Sequence, residues 1–423
     1  MIMDSLIKHN GTQIALTIDK KDYTYGELVS AVESQNIDSQ IHFLTATKSF
    51  KFIVEFLARL EHDAPSVIMA DYWPEEETQT KKDLVGKNTL HDQCSLVMFT
   101  SGSSGAPKGV QLSKQNISHC TQAILKALEF KNVKNQLLFL PLSYSYGLLG
   151  QLLPGLLAGQ HIHILPSVVH AKFFIDEHNV QLMLSGVPSH LQTLCELYPP
   201  DHQIPHIKSI VSAGGELRLD LRIRLREVFP NAKIFNNYGQ TEMSPRALVM
   251  NSDAKEFFSL KTGEPIAGMQ AQLTEQGEIC FRGPHIMLGY IGQELKLDKG
   301  WYHTGDLAEK DSQGIYTIKG RQDHLVKVSG ERVSLKEIED VIGSIDEVER
   351  AIVCLRSEDN KLLVFLKLNQ TLTKKEMIHY LKPRLSQTKI PQLYYKVEKF
   401  PLNPNGKIDR NQLINSLDSY RLL

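Results

Sequence analysis

Cysteine is scarce in this sequence, tryptophan scarcer, and neither sign of charge is in excess. The five cysteines (Cys94, Cys120, Cys195, Cys280, Cys354) are far apart, odd in number and form no CxxC pair. That spacing supplies neither a zinc ligand set nor a disulfide framework. It fits buried thiols in a reducing cytoplasm. Basic and acidic residues number 47 and 48, a formal net charge of −1. No global field therefore draws the chain to nucleic acid or to an anionic membrane. No basic segment followed by an apolar stretch lies between Met1 and Thr12, so no signal peptide is expected. The most apolar region, Leu148 to Pro166, is broken by Gln151, Pro154, Gly155, Gly159, Gln160 and two histidines. It falls short of the roughly 20 apolar residues that a membrane span needs. Internal repeats and low-complexity runs are also lacking.

What is present is the composition of an ordinary globular enzyme, 42% hydrophobic and 22% charged over 423 residues. At roughly 150 residues per domain that length predicts two or three units. Short apolar strands alternate with amphipathic helices, which predicts an α/β fold with a largely parallel sheet. Phe50, Ile53, Val54, Leu57 and Leu60 recur at helical spacing, as do Leu191, Leu194, Cys195 and Tyr198 after Pro188. Strands are predicted at 181–187, 207–213 and 233–237. A helix between the last two turns Leu217, Leu221, Leu225 and Val228 inward. After residue 260, glycine-rich turns separate extended segments at 278–282, 307–310 and 315–319, a small barrel-like β portion. From Arg321 the pattern changes again. Ser334 with Glu337, and Thr373 with Glu376, form capping boxes at two helix starts, with strands at 350–355 and 362–368 between them. That is a compact α+β unit, and the boundary is placed between 1–322 and 323–423.

Phe99 to Gly109 reads Phe-Thr-Ser-Gly-Ser-Ser-Gly-Ala-Pro-Lys-Gly. It follows an apolar strand, 95–99, and precedes a helix beginning near Ser113. Small residues let backbone N–H groups close on phosphate oxygens, the hydroxyls of Thr100, Ser101, Ser103 and Ser104 add donors, and Lys108 adds charge. Composition alone also fits a flexible linker, but linkers rarely end in Pro-Lys-Gly at such a junction. Lys108 stands between Pro107 and Gly109, so this is not a P-loop of the Gly-x4-Gly-Lys-Ser/Thr kind. Downstream stand Ala213-Gly214-Gly215-Glu216, Asn236-Asn237-Tyr238-Gly239-Gln240-Thr241-Glu242, Gly300 to Asp306, Gly320-Arg321-Gln322-Asp323, Lys327 to Val333 and Pro401 to Arg410. Each alone has a plain reading: Glu242 a solvated acid, Asp306 a turn aspartate, Arg321 a surface ion pair, Asn405-Gly406 a hairpin turn with Lys407 exposed.

The ordered set, from residue 99 to residue 410, resembles the adenylate-forming superfamily of acyl-CoA synthetases, peptide-synthetase adenylation domains and luciferases. The resemblance implies ATP-dependent activation of a carboxylic acid to an acyl-AMP, then transfer to the thiol of CoA or an acyl carrier protein. It implies a nucleotide site of Thr100, Ser101, Gly102, Ser103, Ser104, Gly105, Lys108, Gly214, Gly215, Glu216, Asn236, Asn237, Tyr238, Gly239 and Gln240. In that site Tyr238 stacks on adenine, Thr241 bonds phosphate and Glu242 holds Mg²⁺. It further implies that Asp306 binds ribose, Arg321 ribose or phosphate, that Asp323 is a hinge, that Gly330 lines a thiol channel and that Lys407 is the catalytic lysine. A mobile C-terminal domain would exchange Lys407 for the Gly330 loop between the two half-reactions.

The acid pocket is expected from Tyr144, Ser145, Tyr146, Gly147, Ala213 and Met243. Tyr144 stands where the family often has histidine, and amino-acid-activating relatives carry an aspartate in this region. No acid occurs from Leu138 to Leu157, and a buried ammonium without a partner is costly. A substrate without an α-amino group is therefore expected. An amino-acid-activating domain and a non-catalytic nucleotide-binding scaffold are the alternatives; retention of Glu242, Asp306, Arg321 and Lys407 argues against the scaffold. Tyr23-Thr24-Tyr25-Gly26-Glu27-Leu28 resembles the family's early motif, and the stretch from there to residue 95 is compressed. His161 and His163 share a strand face, without a third residue to complete a metal site. Arg218, Arg222 and Arg226 form a helical stripe expected to face solvent, with docking of an acidic carrier as the sharper reading.

Overall fold

The computed structural model describes the chain apart from Met1 and residues 102–106, 323–324, 329–330, 357, 360 and 405. The chain divides into two units: residues 1–274, 280–304 and 310–317 form the first, and 275–279, 305–309 and 318–423 form the second.

The first unit is built on two sheets. The larger has nine strands, in the order Glu264–Pro265, Leu248–Asn251, Lys233–Tyr238, Ile207–Ser212, Leu182–Gly186, Asn135–Leu138, His161–Ile164, Ile14–Ile18 and Lys21–Thr24. Its middle is parallel throughout, from Lys233–Tyr238 across to Ile14–Ile18. Parallel strands are covered on both faces, which is why Leu182–Gly186 reads as an unbroken buried run. The predicted helix 219–228 buries Leu221, Leu225 and Val228 against this sheet, within a core that also holds Leu191, Leu194 and Phe229. The second sheet has five strands, Gly289–Tyr290, Pro107–Leu112, Leu96–Ser101, Ser66–Met69 and His42–Thr45. The helix Phe50–Glu61 beside it is capped by the Ser49 side chain, which accepts from the Phe52 N–H. Lys48, just before that cap, donates to the carbonyls of Phe139 and Leu165 at 2.7 Å each and Pro166 at 3.0 Å. It thus ties the compressed N-terminal stretch to the ends of two strands of the larger sheet. Burial lowers its pKa to about 8.

Three expectations need correction. The helix expected near Ser113 does begin there, as Lys114–Ala127 capped by Ser113, but residues 107–112 before it form an unexpected strand antiparallel to Leu96–Ser101. Gly109 to Leu112 are all buried while Pro107 and Lys108 are half-buried, so this short strand gives no alternation to read. The arginine stripe is not a solvated face. Arg222 is 1% exposed and donates to the carbonyls of Leu217 (2.7 Å), Phe257 and Lys261 (3.2 Å), so it ties the start of the helix to residues 257–261 instead of facing a partner. Ser334 accepts from the Glu337 N–H as expected, but Glu337 does not return the bond. Both its carboxylate oxygens take the Lys389 ammonium, at 2.6 and 2.7 Å. At Thr373 and Glu376 the full box forms.

In the second unit a sheet of Val348–Arg356, Lys361–Leu368, Leu393–Lys396 and Arg421–Leu422 separates two apolar clusters. One cluster contains Ile338, Ile342 and Val364, the other Phe365, Tyr395 and Leu413. A hairpin, Leu325–Val328 with Glu331–Ser334, precedes the sheet. The extended segments predicted after residue 260 form a four-stranded sheet of Gln270–Leu273, Glu278–Arg282, Tyr302–Lys310 and Tyr316–Arg321.

Candidate active site

Three neighbouring parallel strands end at Gly186, Ser212 and Tyr238. The motif segments 213–216 and 239–242 begin at those carboxyl ends, where open α/β sheets take their ligands. Ala213 is buried; Gly214, with φ of +83°, turns the chain out so that Gly214, Gly215 and Glu216 are exposed. Asn237 holds two of the strands together, its amide donating to the Ser212 carbonyl at 3.2 Å, and Asn236 is buried with a long bond to the Lys261 carbonyl (3.4 Å).

The loop after Tyr238 closes on itself. A Cβ at Gly239 would stand 1.9 Å from the Pro245 carbonyl oxygen, so only glycine lets residues 239–246 pack back. Gln240 is fixed by donation to the Thr304 carbonyl (3.1 Å) and by the Tyr302 hydroxyl (3.3 Å). Tyr302 is buried, and burial, with the Glu242 charge next in size, holds its hydroxyl protonated. The Tyr238 ring lies nearly parallel to Phe281, with centroids 6.0 Å apart.

Against this loop comes the acid-side segment. Tyr146 donates to the Val211 carbonyl at 2.8 Å, which anchors Ser145 to Gly147 at the same sheet edge. Gly147 is pressed to the Pro141 carbonyl oxygen, 2.3 Å from where a Cβ would sit. The Ser145 and Thr241 hydroxyls are then 2.9 Å apart. Beside Thr241, the Glu242 carboxylate is 8% exposed and accepts from the Tyr290 hydroxyl at 2.8 Å. The Lys108 ammonium lies 5.3 Å from the centroid of the Tyr290 ring. Ser145 with Thr241, and Glu242 with Tyr290 and Lys108, thus form two polar sets connected through the adjacent residues Thr241 and Glu242. Tyr290 was not foreseen: an aromatic in the short apolar stretch 286–291 looks like core. Met243 is fully buried. Burial raises the hydroxyl pKa of Tyr144.

Thr100 and Ser101 pair with Lys108 and Pro107 across the strands that lead into and out of the Ser/Gly stretch. Gly102, Ser103, Ser104 and Gly105 of that stretch lie outside the described residues, as do Asp323 and Gly330. In the second unit Asp306 is 5% exposed, and Arg321 pairs with it at 3.4 Å. Gly305, just before Asp306, has φ of +72°, and a Cβ there would be 3.1 Å from the Arg321 guanidinium. Lys407 is an exposed residue beside Gly406, which has φ of +72°. Asn403 closes that turn, accepting from the Lys407 N–H at 3.0 Å and donating to its carbonyl at 2.8 Å.

His161 and His163 do share a face, with ring centroids 3.9 Å apart. Their contacts are structural: His161 meets the Thr17 hydroxyl (2.6 Å) and His163 packs on Phe174.

The model of the AMP-binding enzyme family matches residues 31–291, more than half of the chain. The chain belongs to the AMP-binding enzyme family. It is similar to the 2-succinylbenzoate–CoA ligase of Bacillus subtilis, 30% identical over 349 residues, 76% of this chain and 69% of that protein. It is also similar to the D-alanine–D-alanyl carrier protein ligase of Lactococcus lactis, 26% identical over 400 residues, 87% of this chain and 78% of that protein. Its fold matches an O-succinylbenzoate coenzyme A synthetase from Bacillus subtilis solved with ATP and a magnesium ion, with a TM-score of 0.81 at 22% identity over 98% of this chain and 99% of that one. As an AMP-binding enzyme the chain is an acid–thiol ligase, which activates a carboxylic acid with ATP to an acyl-AMP and passes the acyl group to a thiol. Among the described residues, no helix is long and apolar enough to cross a membrane.

Proposed function

We propose that the connected group from Ser145 to Lys108 is where the acid meets the α-phosphorus of ATP. Both reactants are anionic, so the site must place donors and positive charge where they converge. The Thr241 and Ser145 hydroxyls would orient the carboxylate and phosphate oxygens, and Lys108 with the N–H groups of the 100–105 stretch would hold the departing pyrophosphate. Tyr238, with Ala213 to Glu216 and Asn236 to Gln240, would form the adenine side, and Asp306 with Arg321 the ribose side. The donor set fits a hard cation: Glu242 is a buried carboxylate with one oxygen bonded to Tyr290, beside two hydroxyls. Glu242 would hold Mg²⁺ there, which when bound supplies neutralisation of phosphate charge. Lys407 would stabilise charge at the reacting oxygens, and Gly330 would line the path of the incoming thiol, with Asp323 as the hinge between 1–322 and 323–423.

The acid pocket would be formed by Tyr144 to Gly147, Ala213 and Met243. The absence of any acidic side chain from Leu138 to Leu157 supports a substrate without an α-amino group. The names of the similar proteins support CoA or a carrier protein as the thiol donor. Five free cysteines, all buried, fit a reducing cytoplasm. The hydroxyl contact between Ser145 and Thr241 carries this reading, since it joins the acid-side segment to the nucleotide motif. ATP–pyrophosphate exchange across a panel of free acids and amino acids tests it. Exchange with acids lacking an α-amino group is expected; exchange with amino acids alone would overturn the choice of substrate.

A further inference from the structure

Arg246 stands four residues after Glu242, and the mechanism above leaves it unused. Among the described residues three arginines are deeply buried: Arg59, Arg222 and Arg246. Arg59 bonds Ser66 and the carbonyls of Gln40 and Pro65, and faces Asp38. Arg222 has its three carbonyls. Arg246, 3% exposed, has only a long bond from Nη1 to the Pro245 carbonyl at 3.4 Å. Its Nε and Nη2 atoms find no acceptor among the described residues.

Burial does not discharge a guanidinium, which keeps its proton in proteins. Among the described residues no carboxylate pairs with it: the groups that bear on its charge are Tyr146 and Cys120. Both are neutral near pH 7, since burial pushes each to about 12. His285, which bonds the Arg246 backbone, is held at about 4 and is uncharged as well. The ring face of Tyr146, 4.2 Å from the guanidinium carbon, returns part of the cost of burying the charge, but cannot accept two directed N–H bonds. Nε and Nη2 form one edge of the guanidinium fork, and that edge matches the two oxygens of a carboxylate.

The place of this edge is set by the acid-side segment. A Cβ at Gly150 would be 3.1 Å from Arg246 Nη2 and 3.3 Å from the Tyr146 ring. Gly150 lies five residues beyond Ser145 on continuous helical backbone, roughly 7 Å along the axis. Residues Leu148–Leu152 are a π-helix, a form that concentrates at functional sites. The absence of a side chain at Gly150 lets the guanidinium lie against this stretch.

We propose that Arg246 recognises a second carboxylate on the substrate, remote from the reacting one, so that the enzyme activates a dicarboxylic acid whose charges lie roughly 7 Å apart. This rests on the reading that places the reacting carboxylate beside Ser145 and Thr241. The test is pyrophosphate exchange by the whole chain on dicarboxylic acids of graded length, each paired with its mono-amide. The expected kcat/KM for the best diacid exceeds that for its mono-amide by roughly 100-fold or more. Arg246→Met should erase that ratio, lowering the diacid value far more than the mono-amide value. The wild-type comparison decides even if the variant does not fold. Equal or better exchange with the mono-amides at every length would overturn the proposal while leaving acid activation intact. Exchange with no acid of any kind would instead overturn the reading on which it rests.

Discussion

Glu242 shares one carboxylate oxygen with the Tyr290 hydroxyl at 2.8 Å, and that bond sets how the carboxylate is aimed. Tyr290→Phe keeps the ring and removes the donor. The Mg²⁺ concentration giving half-maximal exchange should rise several-fold, with the KM for the acid little changed; an unaltered Mg²⁺ dependence would remove Tyr290 from the site. A second prediction concerns acid. Burial lowers His285 and His190 to about 4 and His163 to about 3. A histidine depressed in the folded state lets the unfolded chain take up protons first, so its contribution is complete above about pH 6.5 and is lost as pH falls towards 4. For His285, 1% exposed, the loss by pH 4.5 is roughly 2–3 kcal/mol. Urea unfolding at pH 7 and pH 4.5 should show a smaller difference for His285→Gln than for the wild type. At this scale the segments 99–109 and 236–242 could be singled out because each is contiguous in sequence, and the structure puts Thr241 beside Ser145 and Lys108 near the Tyr290 ring. Tyr290 and Arg246 were not legible, because an aromatic in an apolar stretch and a lone arginine carry no signal until the chain folds around them.

The loop 239–246 is the element on which the site depends. It begins at a strand end and returns so tightly that a methyl group at Gly239 would collide with the Pro245 carbonyl. Gly239→Ala should therefore displace Gln240, Thr241 and Glu242 together, lowering exchange by roughly 100-fold or more, as misplacement of reacting groups does. The larger sheet should survive, since its strands pair independently of this loop. An alanine variant of near-normal activity would show that the loop is not so constrained. The strands at 182–186, 207–212 and 233–238 were legible as apolar runs between turn residues. The strand 107–112 was missed because it shows no alternation of buried and exposed residues and its neighbours are the small residues of the Ser/Gly stretch. The cap at Ser334 was legible, but its reciprocal half was not, since Lys389, 52 residues away, competes for Glu337.

At the scale of the whole molecule, residues 318–423 with the short segments 275–279 and 305–309 form a second unit with its own sheet and two apolar clusters. Lys407 belongs to this unit and the polar group around Thr241 to the first. The account therefore requires a lysine about 160 residues distant in sequence to serve the acyl-AMP step and then be dispensable. Mass spectrometry of the two half-reactions of Lys407→Ala tests this most directly, with ATP and acid in one mixture and pre-formed acyl-AMP and thiol in the other. The account predicts that the variant forms no acyl-AMP or pyrophosphate while still converting acyl-AMP to thioester at close to the wild-type rate. Equal loss of both half-reactions, or release of ADP and phosphate by the wild-type chain, would contradict it.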